Sequence, residues 1–183
     1  AWMLQTTARD PRMLDGLISQ SLASMPSFFS STTIIIIGGL FAVLGATQEA
    51  TQVVREIPFA ARTSMLVFDL KVLVLIGIFV YAFFRFTWSM RQNTFVSLVI
   101  ASMPPPSEFE DDAQKREQYA TRAGRLAGLA AETFNDGLRA YYFAFAVMAW
   151  FFSPFALMAS TAFVVVILYS REFRSEVLAL LNA

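Results

Sequence analysis

The strongest constraint on this chain is a run of 30 residues, Ala140 to Tyr169, without one charged side chain. A helix that crosses a hydrocarbon core of roughly 30 Å needs about 20 mainly apolar residues, and two further stretches reach that length. Ser27 to Ala46 (SFFSSTTIIIIGGLFAVLGA) carries no charge, and Ser64 to Phe86 is interrupted only by Asp69 and Lys71 near its start and Arg85 near its end. Core helices of water-soluble proteins rarely run so far without polar punctuation. The expected fold class is therefore all-α: a polytopic membrane helix bundle that makes residues 1–183 one integral membrane domain.

Composition narrows the function more than the fold. With 56% hydrophobic residues the chain is no disordered tail, and its balance of 14 basic against 14 acidic side chains leaves no excess for nucleic acid. Cysteine and histidine are both absent. That removes disulfides, thiol nucleophiles, thiolate or imidazole zinc sites, histidine-ligated haem and nearly all histidine acid–base chemistry. No cofactor-binding or catalytic motif is present, so a non-enzymatic role is expected.

The 30-residue tract poses a length problem. As one straight helix it would extend about 45 Å and need a tilt of about 48° to fit the core, beyond the usual range. Its middle reads Phe151-Phe152-Ser153-Pro154, and proline, lacking a donor and clashing with the preceding turn, kinks or ends a helix. Two readings compete: one kinked span, or a hairpin at Ser153-Pro154 with arms over 135–152 and 154–170. If the segment before Ser27 is cytoplasmic, the hairpin puts 11 of the 14 basic residues on that side and leaves Arg55, Arg62 and Lys71 outside. The single span moves Arg171 and Arg174 out and weakens the bias. The positive-inside rule favours the hairpin, hence about four spans. The expected location is a bacterial inner membrane, with residues 1–25 and the 87–134 connector cytoplasmic. Trp88, Tyr141, Tyr142 and Tyr169 then fall near the cytoplasmic interface, and Trp150 near the other, unless these rings simply pack within the bundle.

Outside the spans, Asp10-Pro11 is a helix-start signal. Met13, Leu14, Leu17, Ile18, Leu22 and Met25 follow at helical spacing, predicting an amphipathic helix on or under the membrane. The connector from Thr47 to Thr63 is short and carries no motif. Phe95 to Met103 is too short to cross, so it extends the second helix or lies at the interface, until Pro104-Pro105-Pro106 stops any helix. Glu108, Glu110, Asp111 and Asp112 read either as a hard-cation site or as an acidic first turn stabilised by the dipole of the next helix. That helix, over 113–134, sets an alanine-rich side against Lys115, Arg116, Arg122 and Arg125, which suits solvent, anionic headgroups or a partner. Residues 171–183 form a further short amphipathic candidate.

Polar groups at membrane depth are costly and therefore informative. Asp69 and Lys71 lie two apart and cannot pair on one face. They read either as an ion-handling carboxylate with its lysine, or as a lysine reaching the outer interface beside an Asp69 bonded to a neighbouring helix. Asp136 and Arg139, three apart beside Asn135, fit an interfacial ion pair, and Arg85 reaches for the cytoplasmic surface. In the first span Gly38, Ala42 and Ala46 recur every four positions with Gly39 and Gly45 adjacent, a stripe that permits close helix packing. Packing inside the chain is the default use of that stripe. The lipid bilayer is the expected partner, together with other membrane subunits or further copies of the chain.

Three stretches carry a family resemblance: Phe134-Asn135-Asp136-Gly137-Leu138-Arg139-Ala140-Tyr141-Tyr142-Phe143-Ala144, Trp150 to Pro154, and Leu168 to Ser175. With Ala1-Trp2-Met3, Arg9 to Arg12, Ile36 to Leu40 and Val80 to Phe84, they resemble the bacterial branch of domain-of-unknown-function family 599. The resemblance spans essentially the whole chain. It implies a multi-pass membrane protein with a further apolar helix ahead of Ala1, and it carries no activity with it. Two roles follow as expectations: an accessory subunit packed by small-residue faces, or a small oligomeric transporter or channel using Asp69.

Overall fold

A computed structural model describes residues 2–56, 64–110 and 112–174. The expected helix over 171–183 falls mostly beyond them, as do Arg62 and Asp111. Six α-helices account for most of the described chain, with no strand among the described residues: α1 (Trp2–Thr6), α2 (Met13–Gly45), α3 (Thr47–Glu56), α4 (Met65–Ala101), α5 (Ala113–Met148) and α6 (Pro154–Phe173). Two short 3₁₀ turns, Pro106–Phe109 and Ala149–Phe151, precede and follow α5.

Three helices, α2, α4 and α6, are long and apolar enough to cross a membrane. The expected arm over 135–152 is the apolar last third of α5 and its 3₁₀ extension, continuous with the charged 113–134 segment because no proline separates them. The amphipathic helix expected before Ser24 is likewise no separate element. It joins the first span through a fully buried Pro26 to make α2 one helix of 33 residues. Nothing between Ser24 and Ser27 supplies a turn, and apolar surroundings tolerate proline where hydroxyls bond backbone carbonyls. The extension of the second span holds, with α4 running to Ala101 before the three prolines.

The break at Ser153-Pro154 is built as those residue types dictate. Ser153 is extended and its Oγ accepts from the amide of Ala156 at 3.0 Å, while Pro154 occupies the first turn, where its missing donor costs nothing. The chain then reverses. Ser160 donates to the carbonyl of Ala146 at 3.0 Å, and Arg139 meets Glu172 at 2.6 Å, so α6 returns antiparallel along the end of α5. A single kinked span would hold these pairs far apart.

The chain divides into two compact units, to each of which α2, α4 and α5 contribute a part. The first, residues 1–32 and 83–137, is centred on Met3, Val96, Ile100, Met103, Ala120 and Ala123. Beside this cluster stands an aromatic trio of Phe29, Phe86 and Phe134 with ring centres 5.3 to 5.7 Å apart. The second, residues 33–82 and 138–183, packs Phe68, Val72 and Ile76 against α3 and the end of α2, and Leu75 and Phe79 against Ala144. The spans differ in how much they bury. In its most apolar stretch α4 buries 39% of its residues, against 11% for α2 and 6% for α6. Ile34, Ile35, Phe41, Phe155, Phe163 and Val166 all point outward.

Candidate functional site

In the second unit, Lys71 is turned inward onto the 3₁₀ turn that follows α5. It is 2% exposed, and its ammonium donates to the carbonyl of Trp150 at 2.9 Å, with the Trp150 and Phe151 rings centred 5.3 and 5.6 Å away. The α5 hairpin turn ends in carbonyls without helical partners. A cation with aromatic faces beside it meets one of them and disperses its charge over the π surfaces. Asp69 takes the other reading offered for it: its Oδ1 accepts from the Thr47 hydroxyl at 2.8 Å, tying α4 to the start of α3. Tyr141 packs against its neighbours, with its hydroxyl 2.7 Å from that of Thr33 and its ring edge-on to Phe79. Arg171 reaches the Tyr142 hydroxyl across the hairpin.

Asp136 pairs with Arg85 within the first unit, and Arg139 pairs with Glu172 within the second. Spacing put the two residues on one face of α5, and each meets an opposite charge on another helix. Arg85 therefore carries a carboxylate partner, while Asn135 stays exposed.

Sequence reasoning missed the polar centre of the first unit. Asp15 is wholly buried, and its Oδ1 accepts from the indole of Trp2 at 2.7 Å, the Thr6 hydroxyl at 2.8 Å and Arg9 at 3.0 Å. Its Oδ2 has no hydrogen-bond partner among the described residues. Arg12 donates to the carbonyls of Met103 and Pro104 beyond the end of α4, and Arg116 to the Thr7 hydroxyl at 2.9 Å. Ser19 meets Ser97 at 2.7 Å, Asn93 donates to the Ser89 carbonyl at 3.0 Å, and Ser89 donates to the carbonyl of Ala130 at 2.7 Å. The available signal was periodicity: Asp15 and Ser19 fall one turn apart within the otherwise apolar pattern of early α2.

The small-residue stripe has a different fate from internal packing. Gly38, Gly39, Ala42, Gly45 and Ala46 are all exposed, and a Cβ added at Gly38, Gly39 or Gly45 would meet nothing within 4 Å. Gly137 is the contrary case, since a Cβ there would stand 2.5 Å from the Phe86 ring. In the acidic segment, Asp112 accepts from the amide of Lys115 at 2.8 Å and Glu108 pairs with the Lys115 ammonium at 3.1 Å. That is the helix-start reading, and no group of three acidic side chains converges among the described residues. Chemically, the arrangement joins helices: Asp69, Lys71, Arg85, Asp136 and Arg139 each contact another element.

A family model described as "Protein of unknown function, DUF599" matches residues 1–177. No curated protein and no solved structure matches the chain.

Proposed function

The chain belongs to the DUF599 family, and we propose that it is an integral membrane protein without chemistry of its own, an accessory or structural subunit packed against other membrane proteins. The observation that carries this reading is the division of labour along the helices. Polar groups at membrane depth are consumed in joining elements, while the small-residue stripe of α2 is left outward and unused. Gly38, Gly39 and Gly45 permit a backbone approach that no helix among the described residues exploits. Outward phenylalanines and isoleucines on α2 and α6 support lipid as the surrounding solvent, since water would be displaced from them at about 25 cal/mol per Å². The Arg139–Glu172 pair supports a cytoplasmic open end of the hairpin, because it gathers Arg139, Arg171 and Arg174 at one end. A bacterial inner membrane fits that orientation.

Photo-cross-linking tests the reading in native membranes. A photoreactive residue at Ala42 is expected to yield a protein adduct of discrete mass, and one at Phe163 on α6 mainly lipid. Lipid adducts alone from Ala42, together with a lone monomer in mild detergent, would overturn it. The transporter alternative rests on Asp69, whose bond from Thr47 suits a joining role. Liposomes holding wild-type protein or Asp69→Asn are expected to be equally tight to ions and protons. A flux abolished by Asp69→Asn would install the transporter reading instead.

A further inference from the structure

In the first unit a groove of about 980 Å³ lies along the outer face of α5, with Val99 of α4 on one edge. That volume is of the order of a ligand site. Its walls divide by chemistry. Arg122 and Arg125 are exposed, lie about 60° apart around the helix, and make no hydrogen bond or ion pair among the described residues. They stand out within the unit. Arg9, Arg85 and Lys115 have carboxylates, Arg12 and Arg116 have oxygen acceptors, and Arg91 lies over the Phe95 ring. Val99, Leu126 and Leu129 line the same groove and give it an apolar side. Glu117 lines the far lip, about 140° from Arg122 around the helix, and also faces a second hollow beside Trp2.

We propose that this groove holds a phospholipid of net negative charge, its phosphate across Arg122 and Arg125 and its acyl chains on Val99, Leu126 and Leu129. The guanidinium fork matches phosphate oxygens, and two forks a turn apart match one doubly contacted phosphate. The apolar floor selects an amphiphile over free phosphate. Outward Phe95 and Leu98 continue that floor along α4, and outward Leu14, Leu17 and Met25 on α2 give the same unit a surface suited to acyl chains. The site requires lipid contact but no partner subunit, so it stands or falls apart from the accessory role.

Native mass spectrometry of the full chain in a neutral detergent tests the site. The probes are phosphatidylglycerol, phosphatidylcholine of the same acyl length, and glycerol phosphate. Wild type is expected to retain phosphatidylglycerol at least tenfold better than either alternative. Arg122→Gln with Arg125→Gln should lose that preference roughly tenfold or more, given about 1 kcal/mol for each basic group near an anionic surface. Both side chains are exposed and unbonded, so folding should survive. Leu129→Asn, at a half-exposed position, should weaken the lipid several-fold while leaving charge intact. Equal retention by the double variant overturns the site. So does an equal loss in Arg171→Gln with Arg174→Gln, which would mean diffuse attraction. Glycerol phosphate bound as tightly as the lipid would overturn the lipid assignment.

Discussion

Each of the two units uses a cation to meet the carbonyls left beyond a helix C-terminus, but in opposite surroundings. In the first, Arg12 spreads its fork over the carbonyls of Met103 and Pro104 past α4 while remaining partly open to solvent. In the second, Lys71 serves the carbonyl of Trp150 past α5 from a buried position among aromatic rings. The same backbone demand is met by a many-pronged donor where water competes, and by a compact ammonium where it does not. The lesson is energetic. What surrounds the contact, rather than the contact itself, decides the cost of losing it, because a buried group without a partner keeps its full desolvation penalty.

The sharpest way to break the comparison is to reverse the charge at Lys71. Lys71→Glu would set a carboxylate against the Trp150 carbonyl and the negative faces of two rings, with no water to screen it. A loss of roughly 3 kcal/mol or more is expected, read as failure to accumulate or a collapsed thermal transition in detergent. Survival within a few degrees of wild type would mean that the lysine is not buried as described.

Glycine substitutions probe packing in the same two-sided way. Gly137→Ala in the first unit drives a methyl into Phe86, a fully buried ring held between Phe29 and Phe134. Overpacking of that kind costs about 1–3 kcal/mol. Gly38→Ala in the second unit meets open space and should be neutral or gain up to about 1 kcal/mol in helix propensity. Paired melting curves of the two variants in detergent check this. If Gly38→Ala were instead to destabilise the purified monomer, the stripe would be serving internal packing after all.

What the sequence made legible was whatever residues decide locally. Ser153-Pro154 specifies a cap and a first turn, so the break could be read locally while the choice of hairpin over kink rested on the basic residues, and three consecutive prolines end α4 for an equally local reason. Partners were not legible. Spacing placed Asp136 and Arg139 on one face of α5, but Arg85 lies 51 positions from the first and Glu172 lies 33 from the second. Periodicity within one helix carries no information about which helix arrives opposite it. The glycine stripe shows the same limit, since small residues state what approach is permitted and not whether anything approaches. The early amphipathic stretch and the first span differ in pattern, and a change of pattern does not say whether the helix breaks, as α2 shows by running through both.

The mildest test asks whether the first unit depends on the fork of Arg12 or only on its charge. Arg12→Lys keeps the positive charge but leaves one compact ammonium to serve the carbonyls of Thr6, Met103 and Pro104, which the guanidinium reaches from three nitrogens. Water can take over whichever carbonyls are released, so the expected loss is about 1 kcal/mol. It should fall on the N-terminal segment alone. Hydrogen exchange at the amides of α1 should quicken roughly fivefold, with α4 amides and the global transition unchanged. Faster exchange throughout the unit would mean that the arginine holds the cluster around Met3 and Met103 together, and that solvent access is not what separates its cost from that of Lys71.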